Sequence, residues 1–329
     1  MTVSIGTLDR KIWSKDLILS YLYQCLTDNK TATIDMLPEG SCASELGLYR
    51  LLDQFCNTTG YSKSNITIKT ANMLEQHSEY RIVRDATGWY EVNSIHQWMS
   101  NRTIATGNNP TKHFANFSSR TNWSRLWLTT ILATDYADKT LQTYLYDKTT
   151  NNYNPNLHTG LDDLLRQGCD IYVNAAEFLQ TCPRVLDKPQ ITEPIQHPEN
   201  LKLLDYYHEI FVDIVVEPNV HGNCFLVTEK LWRPILARRP FIVMSNSNYL
   251  SNLRRVGFRT FNHFWSEEYD ACSEANRIRA IQQQLELISK YSVGQLSEQL
   301  TEMNEILEHN YITFMSLTAQ KIKQVFYNV

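Results

Sequence analysis

The chain has 329 residues, a length that predicts two domains rather than one. Hydrophobic residues make up 43% and charged residues 20%, the balance of a globular protein that can bury sizeable cores. No stretch approaches the roughly 20 apolar residues that span a bilayer, and no signal-peptide pattern opens the chain, so we expect a cytoplasmic protein without a membrane span. The net charge of −4 disfavours a protein that grips nucleic acid over a broad face.

Cysteine usage gives no signal for a disulfide framework or a structural metal. The seven cysteines are odd in number, and no two of them have C-x-x-C spacing. Such a pattern predicts neither a set of disulfides nor a structural zinc site. No D-x-D-type motif stands out as a metal signature either.

Helices and strands alternate in the first part of the chain. Apolar residues at three- and four-residue steps predict helices over 15–27 and 44–56, and short apolar or alternating runs predict strands over 32–37 and 66–70. This alternation predicts an α/β fold with parallel strands. A stretch rich in Asn, Gly and Pro precedes residue 111 and is typical of a linker, so the first domain is expected to cover residues 1–110.

A second α/β unit is predicted over residues 111–273. Its predicted strands are 113–118, 141–146, 211–216, 241–244 and 259–261. Its predicted helices are 122–137, 228–237 and 249–256, the last closed by Gly257. The Asn-rich stretch 148–158 is predicted to be a surface loop. Over residues 274–329, apolar residues at helical spacing predict C-terminal helices that pack across the two domains.

The segment 215–240 carries the strongest functional signal. A predicted buried strand ends just before Glu217, and ligands of parallel α/β sheets bind beyond the carboxyl ends of the strands. Thr228 stands where a helix N-cap belongs. A helix start attracts anions, Lys230 would add a positive charge, and Glu229 could accept both hydroxyls of a ribose. The pattern fits a nucleoside diphosphate site, and it equally fits a buried helix whose acidic first turn only complements the helix dipole.

A family resemblance favours the first interpretation. Residues 225–243, F-L-V-T-E-K-L-W-R-P-I-L-A-R-R-P-F-I-V, resemble the donor-binding motif of the α-1,3-fucosyltransferase family and of the related exostosin-like enzymes. Residues 113–128 are similar to the strand and helix that open the donor domain of that family. Residues 250–261 and 265–270 resemble phage and bacterial chains that carry the same domain. The resemblance covers residues 112–270, and the first hundred residues carry no matching motif.

The resemblance implies both a fold and a reaction. The fold is GT-B, in which two Rossmann-like domains face each other and the second binds the donor, here with C-terminal helices added. The reaction is the transfer of a sugar from a nucleotide-sugar to an acceptor hydroxyl, with inversion and without an essential metal. The sequence departs from the family at E-P-N, where F-E-N-S is usual, and at R-P-F, where V-P-V is common. The donor sugar therefore stays open.

Residue roles also follow from the resemblance. At the predicted helix start Thr228-Glu229-Lys230, Glu229 would contact the donor ribose and Lys230 the diphosphate. A second phosphate contact would come from Arg120 or Arg125, in the turn that opens the donor domain. Glu217 and Asn219 would lie near the sugar or the base.

Transfer also needs a general base that accepts the proton of the acceptor hydroxyl. Our candidate is Glu39, because it follows the predicted strand 32–37 in a Pro-Glu-Gly turn and would face the cleft if that strand is parallel. Asp35 and Glu45 are alternatives. A turn carboxylate of this kind is also common as a simple solvated side chain.

The expected acceptor is a glycan or a hydroxymethylated base in viral DNA, since both occur among the phage proteins that the motif order resembles. A viral protein would act in the host cytoplasm. The negative net charge favours a glycan, whereas the arginines between residues 233 and 259 leave DNA open. The alternative function is a non-catalytic nucleotide- or carbohydrate-binding protein on the same fold. A nucleotide-dependent epimerase would require G-x-G-x-x-G after the first strand, which this sequence lacks.

Overall fold

The computed structural model describes residues 2–4, 15–37, 41–86, 89, 96, 104, 107, 109–118, 122–146, 157–168, 170–186 and 198–327. These residues form two four-stranded parallel sheets and the helices that cover them. The structure is therefore a mixed α/β fold that is compatible with Rossmann-like folds, and the predicted parallel strands are confirmed. No helix within the described ranges is long and apolar enough to cross a membrane.

The first sheet has the order β1-β2-β3-β4. Its strands are β1 (Thr2–Ser4), β2 (Ala32–Met36), β3 (Ile66–Thr70) and β4 (Arg81–Arg84). The inward-facing residues of β2 and β3 form one core with helices α1 (Lys15–Thr27) and α2 (Leu48–Thr59). The helix predicted from residue 44 begins four residues later, because residues 43–47 form a turn that ends at Gly47 in the left-handed conformation.

The second sheet has the order β6-β5-β7-β8. Its strands are β5 (Lys112–Ser118), β6 (Thr140–Tyr144), β7 (Ile210–Val216) and β8 (Phe241–Met244). The chain passes from β5 to β6 on one side and later returns to place β7 on the other side of β5. The strand order therefore reverses between β5 and β7. In open parallel sheets, ligands bind beyond the carboxyl ends of the strands at such a switch point.

Helices follow the strands of the second sheet and then continue to the end of the described chain. They are α3 (Trp123–Asp135), α4 (Leu157–Arg166), α5 (Tyr172–Gln180), α6 (Glu229–Leu236), α7 (Tyr249–Val256), α8 (Glu274–Ser289), α9 (Val293–Met315) and α10 (Ala319–Tyr327). The bounds of β8 and α7 agree with the prediction, and Gly257 closes α7 in the left-handed conformation as expected. Of the predicted loop 148–158, residues 148–156 lie outside the described residues, and positions 157 and 158 lie in α4 instead.

The strand predicted over 259–261 is wrong. The backbone N–H of Arg259 donates to the side-chain oxygen of Asn310 at 2.8 Å, and the N–H of Phe261 donates to the carboxylate of Glu267 at 2.6 Å. Side chains therefore satisfy backbone groups that a strand would have paired with a neighbouring strand.

Loops at the carboxyl ends of the two sheets contact each other. Asn72, which follows β3, donates to the carbonyl of Asn223 at 3.0 Å and accepts the N–H of Phe225 at 2.9 Å. The N–H of Met73 donates to the carbonyl of Phe225 at 3.0 Å. The loop that follows β7 is thereby bonded to the loop that follows β3.

The last helix returns to the first sheet. Lys323 of α10 forms an ion pair with Asp85, just beyond β4, at 3.0 Å. The hydroxyl of Tyr327 donates to the carbonyl of Arg84 at 2.6 Å, and the Arg84 guanidinium stacks over the same ring at 4.4 Å. The C-terminal helices thus contact residues from both sheets.

Candidate functional site

Glu217 joins the end of β7 to the starts of α6 and α7. It is 1% exposed. One carboxylate oxygen accepts the N–H of Thr228 at 3.2 Å and the hydroxyl of Tyr249 at 2.9 Å, and the other accepts the hydroxyl of Thr228 at 2.6 Å. Burial raises the pKa of Glu217 above its ordinary value, against the opposing charge of Lys230. Its carboxylate is therefore engaged within the protein rather than presented to a ligand.

Thr228 is the N-cap of α6. Its side-chain oxygen accepts the backbone N–H of Lys230 at 3.4 Å, and its own N–H is bound by Glu217. Two of the amides that a phosphate could bind at this helix start are thus already paired. An anion at this position would have to rely mainly on side-chain cations.

Glu229 and Lys230 form an ion pair in the first turn of α6. The carboxylate and ammonium groups are 2.7 Å apart, and the two side chains are 16% and 17% exposed. Burial alone would raise the pKa of Glu229, but the charge and hydrogen bond of Lys230, together with the charge of Arg233, lower it below its ordinary value. An ionised carboxylate and a cation therefore stand side by side at the partly open end of the helix.

Arg233 adds a buried positive charge one turn further along α6. It is 5% exposed, its guanidinium stacks over the ring of Phe117 at 5.4 Å, and it donates to the Phe117 carbonyl at 3.4 Å. Within the described chain its Nε has no hydrogen-bond acceptor. Phe117 belongs to β5, so this cation lies between α6 and the strand on the other side of the switch point. The sequence pattern did not single it out from the surrounding arginines.

Of the other residues predicted to bind the donor, the structure describes Arg125 and Asn219, and both are buried. Arg125 lies in the first turn of α3, is buried, and donates its N–H to the side chain of the N-cap Asn122 at 2.9 Å. Asn219 is buried and accepts the hydroxyl of Ser41 at 3.3 Å. Arg120 lies outside the described residues.

The structure describes two of the three candidate general bases, Asp35 and Glu45. Glu39 lies outside the described residues. Asp35 accepts the N–H of Leu37 at 2.9 Å, which caps the end of its own strand. Glu45 is exposed and packs against Gly222, in the loop that follows β7. The structure therefore brings Glu45, rather than Asp35, next to the second sheet.

A shallow cavity lies beside this contact. It has a volume of about 370 Å³, within the usual range of small-molecule pockets. It is lined by the residues that lead into α2: Ser44, Glu45, Leu46, Gly47, Tyr49 and Arg50. Its carboxylate, hydroxyl and guanidinium groups can bind polar ligands.

The arginines between residues 233 and 259 do not form a free basic surface. Arg233 and Arg239 are buried, and Arg255 stacks over Phe326 at 4.6 Å. The other three are paired with carboxylates: Arg238 with Glu308, Arg254 with Glu267 and Arg259 with Glu305. The electrostatic footprint that these residues suggested for DNA is therefore largely neutralised.

Among the described residues, no group of three or more His, Cys, Asp or Glu side chains could hold a metal ion. The chain matches no protein-family model, no curated protein and no solved structure. The resemblance of residues 112–270 to the fucosyltransferase and exostosin-like domain therefore stays a prediction.

Proposed function

We propose that this protein is an inverting glycosyltransferase that moves a sugar from a nucleotide-sugar to an acceptor hydroxyl. One observation carries the proposal: Thr228-Glu229-Lys230 starts α6 beyond the carboxyl end of β7, beside the switch point of a parallel sheet. The contacts between the carboxyl-end loops of the two sheets support a GT-B-type arrangement with the acceptor on the first sheet.

The donor would be held by an exchange of partners at the start of α6. Lys230 would leave Glu229 for the diphosphate, and Glu229 would accept the hydroxyls of the ribose. Arg233 supports this assignment because it keeps a second positive charge close to the same turn. Glu217 would hold the helix start in place through Thr228 and would not touch the ligand.

The transfer step is an in-line displacement at the anomeric carbon. A new bond forms between the acceptor oxygen and the anomeric carbon, while the bond from that carbon to the diphosphate oxygen breaks and its electron pair leaves with the nucleotide. Lys230 would stabilise the charge that develops on the diphosphate. Glu45 is the described carboxylate best placed to take the acceptor proton, since it packs against the loop that follows β7.

A glycan is the favoured acceptor. Recognition of duplex DNA depends on cations that are free to meet phosphates. Three of the arginines that could serve are paired with glutamates, and two more are buried. The cavity beside Glu45 is instead of a size that accommodates a small ligand such as a sugar unit.

A thermal-shift screen tests the proposal. The probes are UDP, GDP and CMP with their sugar derivatives, and we expect one of these nucleotides to raise the Tm. Glu229→Ala should abolish that shift. Glu298→Ala is the matched control, because Glu298 is exposed on α9. The proposal fails if no nucleotide stabilises the protein. Binding without hydrolysis or transfer of any sugar would favour a non-catalytic binding protein.

A further inference from the structure

His221 connects three elements at the carboxyl edge of the second sheet. It lies in the loop that follows β7, and its ring is 17% exposed. Its Nδ1 contacts the carboxylate of Glu274, the first residue of α8. Its Nε2 lies 3.1 Å from the indole nitrogen of Trp123, the first residue of α3, and the two rings are 5.7 Å apart.

The partners of His221 determine where its proton lies. The indole N–H of Trp123 can only donate, so Nε2 of His221 must accept. The remaining proton then sits on Nδ1 and is donated to Glu274. These two bonds favour the tautomer that carries its proton on Nδ1. A second proton on Nε2 would face the indole N–H and break the bond to Trp123.

The backbone around His221 is fixed as well. The side-chain amide of Asn246, just beyond β8, donates to the carbonyls of His221 and Gly222. The buried guanidinium of Arg277 in α8 donates to the carbonyl of Val220 at 3.5 Å. These bonds attach the loop to the segment after β8 and to α8. The His221 ring adds a separate restraint, because it attaches the same loop to α3.

This restraint spans the switch point. Trp123 begins the helix that follows β5, whereas His221 belongs to the loop that leads from β7 to Thr228. The bond between them fixes the separation between the first turn of α3, which carries Arg125, and the segment that enters α6. A ligand that contacts both helix starts needs that separation to be constant.

We propose that His221 is a positioning residue of the nucleotide site, acting through its hydrogen bonds to Trp123 and Glu274. This inference rests on the proposed function, because it assumes that the nucleotide binds between the starts of α3 and α6. His221 itself touches no substrate. It holds the starts of α3 and α6 at the spacing that the diphosphate requires.

Three variants separate the hydrogen bonds from the volume of the ring. His221→Phe keeps a ring and loses both bonds. His221→Gln keeps an acceptor for Trp123 and a donor for Glu274. Trp123→Phe removes the indole N–H together with part of the buried ring volume. His263→Gln is the control, because His263 is exposed.

Two measurements are made on each full-length variant. Hydrogen exchange of the amides in 219–228, without nucleotide, reports whether the loop is held. We expect exchange to become about tenfold faster in His221→Phe and Trp123→Phe, as for loss of a buried hydrogen bond. Titration with UDP and GDP reports nucleotide affinity, which should fall about tenfold in the same two variants and be restored in His221→Gln.

Each outcome decides a different point. Unchanged exchange in His221→Phe overturns the restraint itself. Faster exchange with unchanged affinity overturns the positioning role. If the unsubstituted protein binds none of the nucleotides of the thermal-shift screen, the proposed function fails instead, and hydrogen exchange alone still decides whether His221 holds the loop. Nitrogen NMR of His221 in the unsubstituted protein should show the proton on Nδ1, and a proton on Nε2 would contradict the tautomer.

Discussion

Thr228 donates both its backbone N–H and its hydroxyl to the carboxylate of Glu217, eleven residues earlier in the chain. This pair closes the loop between β7 and α6 at its two ends. The buried Glu217 therefore positions the helix start that carries Glu229 and Lys230. The sequence had predicted that Glu217 lies near the sugar or the base of the donor. The geometry of this pair can be tested without knowledge of any ligand.

Two replacements of Thr228 distinguish the contribution of its hydroxyl to stability from the contribution of its size. Thr228→Val removes the hydroxyl, the N-cap bond and one partner of a buried carboxylate, so we expect a loss of about 2 kcal/mol in the free energy of unfolding. Thr228→Ser keeps the hydroxyl and should cost well under half of that. Urea unfolding of both variants provides the measurement. Equal losses in the two variants would show that the hydroxyl has no special role.

Asp213 predicts a pH dependence of stability. Burial raises the pKa of this β7 carboxyl to about 6, against the opposing charge of Arg233 and the hydrogen bond from Tyr207. The folded protein therefore holds this proton more tightly than the unfolded chain does. The resulting stabilisation is fully present below about pH 4 and is lost as the pH rises through about 6, in total about 3 kcal/mol.

The measurement compares Asp213→Asn with the unsubstituted protein by urea unfolding between pH 4 and 7. The variant has no proton to lose at this position. The difference in unfolding free energy between the two proteins should therefore change by about 2.4 kcal/mol across this range, to the disadvantage of the unsubstituted protein at the higher pH. Parallel profiles would contradict the assignment.

Gly222 predicts a steric effect with a built-in control. Its φ is +73°, and a Cβ there would lie 2.5 Å from the Cγ of Glu45. Gly60 has nearly the same φ of +72°, but nothing lies within 4 Å of the position of its Cβ. Gly60→Ala should therefore cost only the left-handed backbone strain of about 1 kcal/mol. Gly222→Ala should cost clearly more and should disturb the contact between the two sheets.

Thermal unfolding of both glycine variants gives the comparison. A further variant, Gly222→Ala combined with Glu45→Gly, removes the side chain that would clash. It should recover most of the excess loss, and what remains is the strain that Gly60→Ala also shows together with the approach of the new Cβ to the Cβ and Sγ of Cys42, at 3.2 and 3.3 Å. If Gly222→Ala and Gly60→Ala lose equal stability, the close approach to Glu45 is not a constraint.

The paired arginines predict weak binding to DNA. We expect no gel shift with duplex DNA at physiological salt, whether or not its cytosines are hydroxymethylated, because the arginines between residues 233 and 259 are buried, stacked on a ring or paired with carboxylates. The control is Glu305→Gln, which releases Arg259 from its ion pair on an exposed surface. A strong shift with hydroxymethylated DNA alone would instead make DNA the acceptor.

Local sequence patterns predicted those elements whose bounds depend only on residues nearby in the chain. The bounds of β8 and α7 follow from an apolar run and from a helix that Gly257 ends, and all of this information is local. The prediction of a strand at 259–261 was wrong because the side chains of Asn310 and Glu267 accept its backbone N–H groups. No local sequence pattern indicates those partners.

The candidate site shows the same limit. The N-cap at Thr228 was predictable from its residue type and position. The internal role of Glu217 was not, because its partner Tyr249 lies 32 residues further along the chain. The basic cluster that the sequence suggested is not a free basic surface, for a related reason. The glutamates that neutralise Arg238 and Arg259 belong to α9, 70 and 46 residues away.

The ion pair between Glu229 and Lys230 has a consequence for how a ligand is recognised. A nucleoside that reached only Glu229 would have to compete with an ammonium group already bound to it, and a diphosphate that reached only Lys230 would strand the carboxylate. A molecule that carries both a diol and a phosphate satisfies the two side chains together. Its binding energy should therefore exceed the sum of the energies of its separated halves, so this turn would discriminate an intact nucleotide from its fragments by non-additivity rather than by shape.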